Sequence, residues 1–490
     1  MISLKSQVKL AGMKLANWSF FLVAAIGFAQ PHLSSVKNAA SNIPAGFGNP
    51  GVIPPIFPNA GIAQGAMFVA LGDRIGPASI VVANSFPLKT SLAGTSIQVT
   101  VNGTTVNAIM YYTQAQYAAA ILPSNTPIGI GNVTLTYNGQ SSSTPIVVVQ
   151  NNVGMYTIGE TGSGDAVATL SDYSVVLPNN APNPGEVITF WANGLGPVPY
   201  DETMPALGGD MSSVPLQVFI GGKSAPVLYH GRNPCCVSED QINVQIPPGA
   251  TGCVVSVTMQ IGNLVSNTTT IPVAATGRLC TPTNPAISQN DIPRLLAKPT
   301  LSIGSIVLGH DAVGVTPSGR TDGAAAMFRK YSGPSSAMFD SIVDIPSFGS
   351  CTLYVAASPQ DNTDPTLAFT AQSLDAGSGM NITGPNGSKP LNQGYTILDA
   401  NGSYLNPGQY TVAGTRGQDI GSFQATLSIP FAPFVWTNQA QISAINRASG
   451  VTVTWTGGDT SGYVAISGQT DPGARLEPPT GASPYRHLYC

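Results

Sequence analysis

Six cysteines are the residues whose type and spacing could do chemistry in this chain of 490. Four of them, Cys235, Cys236, Cys253 and Cys280, fall between positions 235 and 280, and the other two are Cys351 and Cys490. Thiols gathered so closely either ligate a metal or close disulfides, and the compartment decides which. A metal reading would join His230 to Cys235, Cys236 and Cys253. Zinc sites space paired thiolates two to four residues apart, so the adjacent pair argues for disulfides, and no metal site is expected. Adjacent cysteines rarely bridge to each other on geometric grounds. Cys235 and Cys236 are each expected to pair with Cys253 or Cys280, which leaves Cys351 for Cys490.

Other reactive constellations are absent from the pattern. Four histidines occur, at His32, His230, His310 and His487. His310 has Asp311 beside it, but neighbours on a strand point to opposite faces, so the two cannot hydrogen-bond as a triad requires. No G-x-S-x-G elbow is present. Gly46-Phe47-Gly48-Asn49-Pro50-Gly51 spells a dinucleotide fingerprint, yet no strand precedes it and Pro50 interrupts it. Carboxylates are scattered among apparent loops, as at Glu160 and Asp165, Asp201-Glu202 and Glu239-Asp240; Asp361 and Asp364 read as a solvated loop. No catalytic residue and no cofactor are expected. A net charge of −4 and no run of Lys or Arg exclude nucleic acid as a partner.

The amino terminus places the chain outside the cytoplasm. Lys5, Lys9 and Lys14 precede an apolar run from Trp18 to Ala29, with small residues where a signal peptidase reads, so residues 1–29 are expected to be a signal peptide cleaved near Ala29. The run is shorter than the roughly 20 residues a bilayer requires, and no membrane span is expected in the mature chain. The product is secreted, extracellular or at the cell surface, where thiols become disulfides.

The elements that must position these residues are β-strands. Charged residues are 9% of the chain, with 54 glycines and 41 prolines, a mix that suits short strands joined by tight turns. One stretch is written twice. Ile97–Val101, Asn102-Gly103, Val106–Tyr112, Gln116, Pro123, Val133–Tyr137 and Asn138-Gly139 return as Leu216–Ile220, Gly221-Gly222, Val227–Tyr229, Gln241, Pro247, Val254–Ile261 and Gly262-Asn263. Such dipeptides supply the positive φ of two-residue hairpin turns. The fold class expected is all-β: tandem immunoglobulin-like β-sandwiches followed by a further β-rich domain. Residues 30–62 read as a Pro/Gly-rich linker or a loosely docked strand, 63–152 as the first sandwich, 153–276 as the second, and 281–490 as a β-rich C-terminal domain. That domain ends in apparent coil from Asp471, either capped by a Cys490 bridge or truncated. Trp191, on a strand launched by Pro184-Gly185, is expected in the second sandwich core, with sugar stacking as the alternative.

The stretch from about Gly61 to Ala275 resembles the uncharacterised C-terminal repeat region of large secreted acidobacterial proteins, similar in turn to bacterial immunoglobulin-like and IPT/TIG-type sandwiches. The resemblance is carried by residues 87–95 and 121–129, Gly194-Leu195-Gly196-Pro197-Val198, Asp240-Gln241-Ile242-Asn243, Cys235-Cys236, Gly252-Cys253 and Val265-Ser266-Asn267. It implies secretion and an immunoglobulin-like fold with no assigned catalytic residues. The first copy departs from the Gln-Ile-Asn pattern with Gln116-Tyr117-Ala118. Gln241 and Asn243 are expected to satisfy backbone groups where a strand enters a turn.

Together these readings point to a non-catalytic binding, adhesion or scaffold protein whose partner is a polysaccharide or another surface protein. Tyr111, Tyr112, Tyr404 and Tyr410 are its candidate stacking surfaces. The alternative is a secreted hydrolase, or its carbohydrate-binding accessory part, with a site in 281–490.

Overall fold

Alternating Val, Ile and Thr on either side of Asn-Gly and Gly-Gly turns build hairpins whose inward residues all lie on one face. The computed structural model describes residues 30–45, 59–205, 208–282, 288–311, 321–332, 352–355, 370–429, 435–444, 449–458, 467–470 and 486–489. Residues 1–29, expected as a signal peptide, residues 46–58, Cys351, Asp361, Asp364 and Cys490 lie outside them. Asn102 and Gly103 adopt φ of 50° and 80°, as do Gly221 and Gly222 at 58° and 72°, so both copies turn as their sequence dictates.

The first pair of sheets runs from His32 to Val149. One orders the strands His32–Asn38, Met67–Asp73, Tyr117–Ile121, Ile109–Thr113 and Val81–Val82; the other orders Ile62–Ala63, Gln140–Val149, Gly129–Tyr137, Thr95–Val101 and Ser91–Leu92. Phe68, Ile97, Val99, Met110, Val133, Leu135, Ile146 and Val148 are buried between them. Each such side chain contributes roughly 1.5–3 kcal/mol by leaving water. Of the two readings of residues 30–62, the docked strand is the one seen at its start. His32–Asn38 pairs with Met67–Asp73, and its Leu33 and Val36 enter the core.

The second pair repeats the plan. Gly154–Met155, Val187–Asn193, Asp240–Gln245, Val227–Arg232 and Gly209–Asp210 form one sheet, and Lys223–Ala225, Leu216–Ile220, Gly252–Ile261 and Leu264–Val265 the other. Ile188, Phe190, Ile242, Val244, Val218, Val257 and Ile271 fill the space between.

Beyond Cys280 a short helix, Ile292–Leu296, seats Ile292 against Cys253, Cys280 and Ala274. A long hairpin, Thr300–Asp311 with Thr321–Ser332, follows, and a four-stranded sheet, Gly387–Leu391, Met380–Gly384, Gly408–Gly414 and Phe423–Ile429, packs with it around Phe328, Ile382 and Leu391. The coil expected after Asp471 needs correcting at one place. Arg486–Tyr489 is a strand between Thr352–Val355 and Ser467–Thr470.

Tyr404 and Tyr410 also need correcting as stacking surfaces. They are 2% and 1% exposed inside this third core. Their hydroxyls donate to backbone carbonyls, Tyr404 to Ile382 and Gly387, and Tyr410 to Tyr404 and Asn406, so the polar tips are used to satisfy turns.

Candidate functional site

The two sandwiches are joined by polar groups buried between them. Arg232, at the end of Val227–Arg232, forms a buried ion pair with Asp240 on the next strand. Its second nitrogen donates to the carbonyls of Gly196 at 2.7 Å and Gly65 at 3.1 Å, the latter belonging to the first sandwich. Gly65 sits at φ 71°, and a Cβ there would stand 2.7 Å from that guanidinium nitrogen, so the close approach requires glycine. Ser238 Oγ donates to the same carbonyl, and Asn193 makes two bonds with the backbone of Met67. Glu202 reaches back to accept from Ser124 N and Ser124 Oγ. Burial pushes the Glu202 carboxyl up from its ordinary value, opposed by those two bonds. Burial likewise pushes Asp240 up, with Arg232 and the Leu195 N–H pulling against it.

Beside this junction a cleft of about 540 Å³ opens between the sandwiches. The first contributes Met67, Val69 and Leu71 from one strand, with Tyr112 and Tyr117 from two others; the second contributes Tyr156, Val167, Trp191 and Glu239. Lys37 and Glu160 line it as well. The placement of Trp191 corrects the expectation that it fills a core. Period two puts neighbours on opposite faces, and along Val187–Asn193 it is Ile188, Phe190 and Ala192 that are buried inward. Trp191 therefore faces out, half-buried, into the cleft.

The same alternation orders Asp240–Gln245. Asp240, Ile242 and Val244 are buried, while Gln241 and Asn243 face outward beside Trp191 and Thr189, their register partners. Gln241 Nε2 and Thr189 Oγ1 both donate to Asn243 Oδ1, at 3.1 and 2.9 Å. Side chain to side chain, this amide strip runs along the sheet rather than satisfying a turn, which corrects the role expected for Gln241 and Asn243.

Tyr112 stands edge-on to Tyr117 with ring centroids 5.8 Å apart. Tyr111 packs instead with Val237 and the apolar outer face of the first sandwich, so only one of that pair reaches the cleft. The Tyr156 hydroxyl is pushed far above its ordinary value, first by burial and then by the negative charges of Glu239 and Asp240. It is a neutral donor and acceptor at any physiological pH. Glu239 is held up by burial, partly offset by a bond from Asn233.

The four described cysteines lie in and just after the second sandwich. Cys235 is bonded to Cys236 and Cys253 to Cys280, so the pairing expected across the two groups is corrected. The reason is placement: Cys253 lies on the strand Gly252–Ile261, buried against Cys280 and Ile292, whereas Cys235 and Cys236 lie in the turn after Arg232. Asn233 ties the turn together, donating to Cys235 Sγ at 3.0 Å and Glu239 Oε2 at 2.6 Å. Cys235, Cys236 and Glu239 form a cluster with ligand-type atoms within 4.8 Å, but the two sulfurs are bonded to each other and offer no thiolate. His230 Nε2 is engaged with the Val214 carbonyl.

One pairing in the third region joins residues 12 apart in the chain. His310 Nδ1 meets Asp322 Oδ1 at 2.5 Å across the long hairpin, a directly opposed pair rather than a sequence neighbour. Asp322 spends its other oxygen on the N–H groups of Tyr404 and Leu405. The pair fixes a turn over the core.

No protein-family model matches this sequence, and no curated protein matches it. Among solved structures it is similar to the plexin A4 extracellular region at 13% identity and a TM-score of 0.18, over 52% of this chain and 19% of that one. It is similar to domains 5 and 6 of the S-layer protein SbsC at 14% identity and 0.17, over 50% of this chain and all of that one. A tandem from titin matches at 7% identity and 0.13, over 75% of this chain and 93% of that one. Likeness this low carries no functional argument. The all-β class, tandem immunoglobulin-like sandwiches with a further β-rich region, stands on the sheet pairings themselves. Among the described residues no helix is long and apolar enough to cross a membrane.

Proposed function

We propose that this protein is a non-catalytic, secreted or cell-surface binding module of IPT/TIG type, organised as one sandwich over 63–152, a second over 153–276 and a β-rich domain over 281–490. The cleft between the first two sandwiches is its ligand site, and a polysaccharide is the ligand class. The observation that carries this reading is Trp191. A large aromatic turned out of a sandwich core costs the fold the area it would have buried, and its exposed face is what a sugar ring stacks on. Tyr112 and Tyr117 face it across the cleft, and Gln241, Asn243 and Thr189 continue from it as hydrogen-bonding groups suited to sugar hydroxyls.

Screening the mature protein against a broad glycan panel, with hydrolysis read in parallel, tests this. A glycan is expected to bind without being cleaved, and Trp191→Ala is expected to weaken it at least tenfold, about 1.4 kcal/mol. Binding that survives in Trp191→Ala would move the site elsewhere, and cleavage would make the protein an enzyme.

A further inference from the structure

We propose that the cleft selects ligands bearing a protonated amine, so that its saccharide is one with unacetylated amino sugars. This rests on the cleft being the ligand site and adds the charge of what enters it.

Three features of the cleft lining favour a cation. The carboxylate of Glu239 lines the wall, half-buried, with Oε2 fixed by Asn233. The Tyr156 hydroxyl lies in the negative field of Glu239 and Asp240, which is the sign of potential that attracts an ammonium. The rings of Trp191, Tyr156, Tyr112 and Tyr117 line the same space, and aromatic faces carry partial negative charge that attracts a cation within about 6 Å. Lys37 and Glu160 also line the cleft, so with Glu239 the charged side chains on its wall sum to −1. Asp240 is already paired with Arg232 and does not compete for the ligand. An ammonium entering here would donate to Glu239 and to a tyrosine hydroxyl while its remaining face meets a ring. A neutral N-acetyl group meets the same carboxylate without an ion pair, so the wall discriminates by charge.

The test is calorimetric titration of the full mature protein with glucosamine hexamer and with its fully N-acetylated counterpart, in parallel with the best ligand from the panel. The free-amine oligomer is expected to bind at least tenfold tighter, to lose affinity as salt rises, and to lose that preference in Glu239→Gln. Because the two probes differ only in acetylation, the comparison in wild type stands even if the variant fails to fold. Equal affinity for the two oligomers, or tighter binding of the acetylated one, overturns the inference while leaving the cleft as the site. Binding of neither, with another glycan still held and lost in Trp191→Ala, does the same. No glycan bound at all would instead remove the reading beneath it.

Discussion

The two copies of the hairpin repeat meet the cleft from opposite sides and have been fitted to it differently. In the first copy, Tyr117–Ile121 is Tyr-Ala-Ala-Ala-Ile and is buried on both faces after its first residue, because the second sandwich covers its outer side with Val237. In the second copy, Asp240–Gln245 alternates strictly between buried and half-buried, its outer side carrying Gln241 and Asn243. Small residues thus mark where one module accepts another, and amides with a tryptophan mark where a module stays available. The duplication supplied one frame, and packing assigned its two outer faces to different work.

The largest expected effects break the junction that holds those faces apart. Arg232→Ala would strand the buried Asp240 carboxylate, and a loss of about 3–5 kcal/mol is expected in denaturant unfolding. The exposed Arg294–Asp291 pair beyond Cys280, at 2.8 Å, should cost about 1 kcal/mol or less on Arg294→Ala. Similar losses for the two would contradict the junction's role. Adjacent residues sharpen the contrast between faces. Phe190→Ala should cost about 3–5 kcal/mol, whereas Trp191→Ala should leave the thermal midpoint near that of wild type while abolishing most ligand affinity. Equal destabilisation by the two would return Trp191 to the core.

Next in size, removing Cys253 and Cys280 together by serine substitution should cost about 3 kcal/mol, since that bridge spans 27 residues of chain. Removing Cys235 and Cys236 closes no comparable loop, so global stability should change little while the Glu239 wall loosens. Equal calorimetric losses for the two double variants would show the adjacent pair to be a general staple.

The smallest effect is a slope. Burial holds the Glu239 carboxyl above the ordinary glutamate value, so the folded protein keeps that proton to higher pH than the unfolded chain. Stability from this group is present below about pH 4.3, the unfolded value, and is lost as pH rises through the folded one. Glu239→Gln should flatten that part of the stability–pH curve, while Glu202, raised for the same reason, keeps its share. Superimposable curves would mean the wall is wetter than its burial implies.

Much of the scaffold was legible because turn dipeptides and period-two alternation are local signals. Leu216–Ile220 spans the residues read from sequence, and Gly103, Gly139 and Gly222 have the positive φ their turns demand. The site was less legible because it is made of outward faces that meet across the junction. A tryptophan on a strand invites assignment to the core, yet the alternation with Phe190 forbids both from pointing inward. Tyr404 and Tyr410 looked available because nothing local announces that their hydroxyls bond carbonyls several residues away. Arg232 with Asp240, and Tyr156 with Glu239, are brought together by cross-strand register and by loop closure, which composition does not encode. Adjacent bridges are geometrically rare, so spacing alone does not announce the one that the turn after Arg232 holds.

One measurement bears on the central claim most directly: calorimetric titration of wild type and Trp191→Ala with the tightest panel glycan, each checked first for an unchanged thermal midpoint. A cleft that works through Trp191 predicts at least a tenfold weaker Kd in the variant at equal stability. The same Kd in both proteins would contradict it.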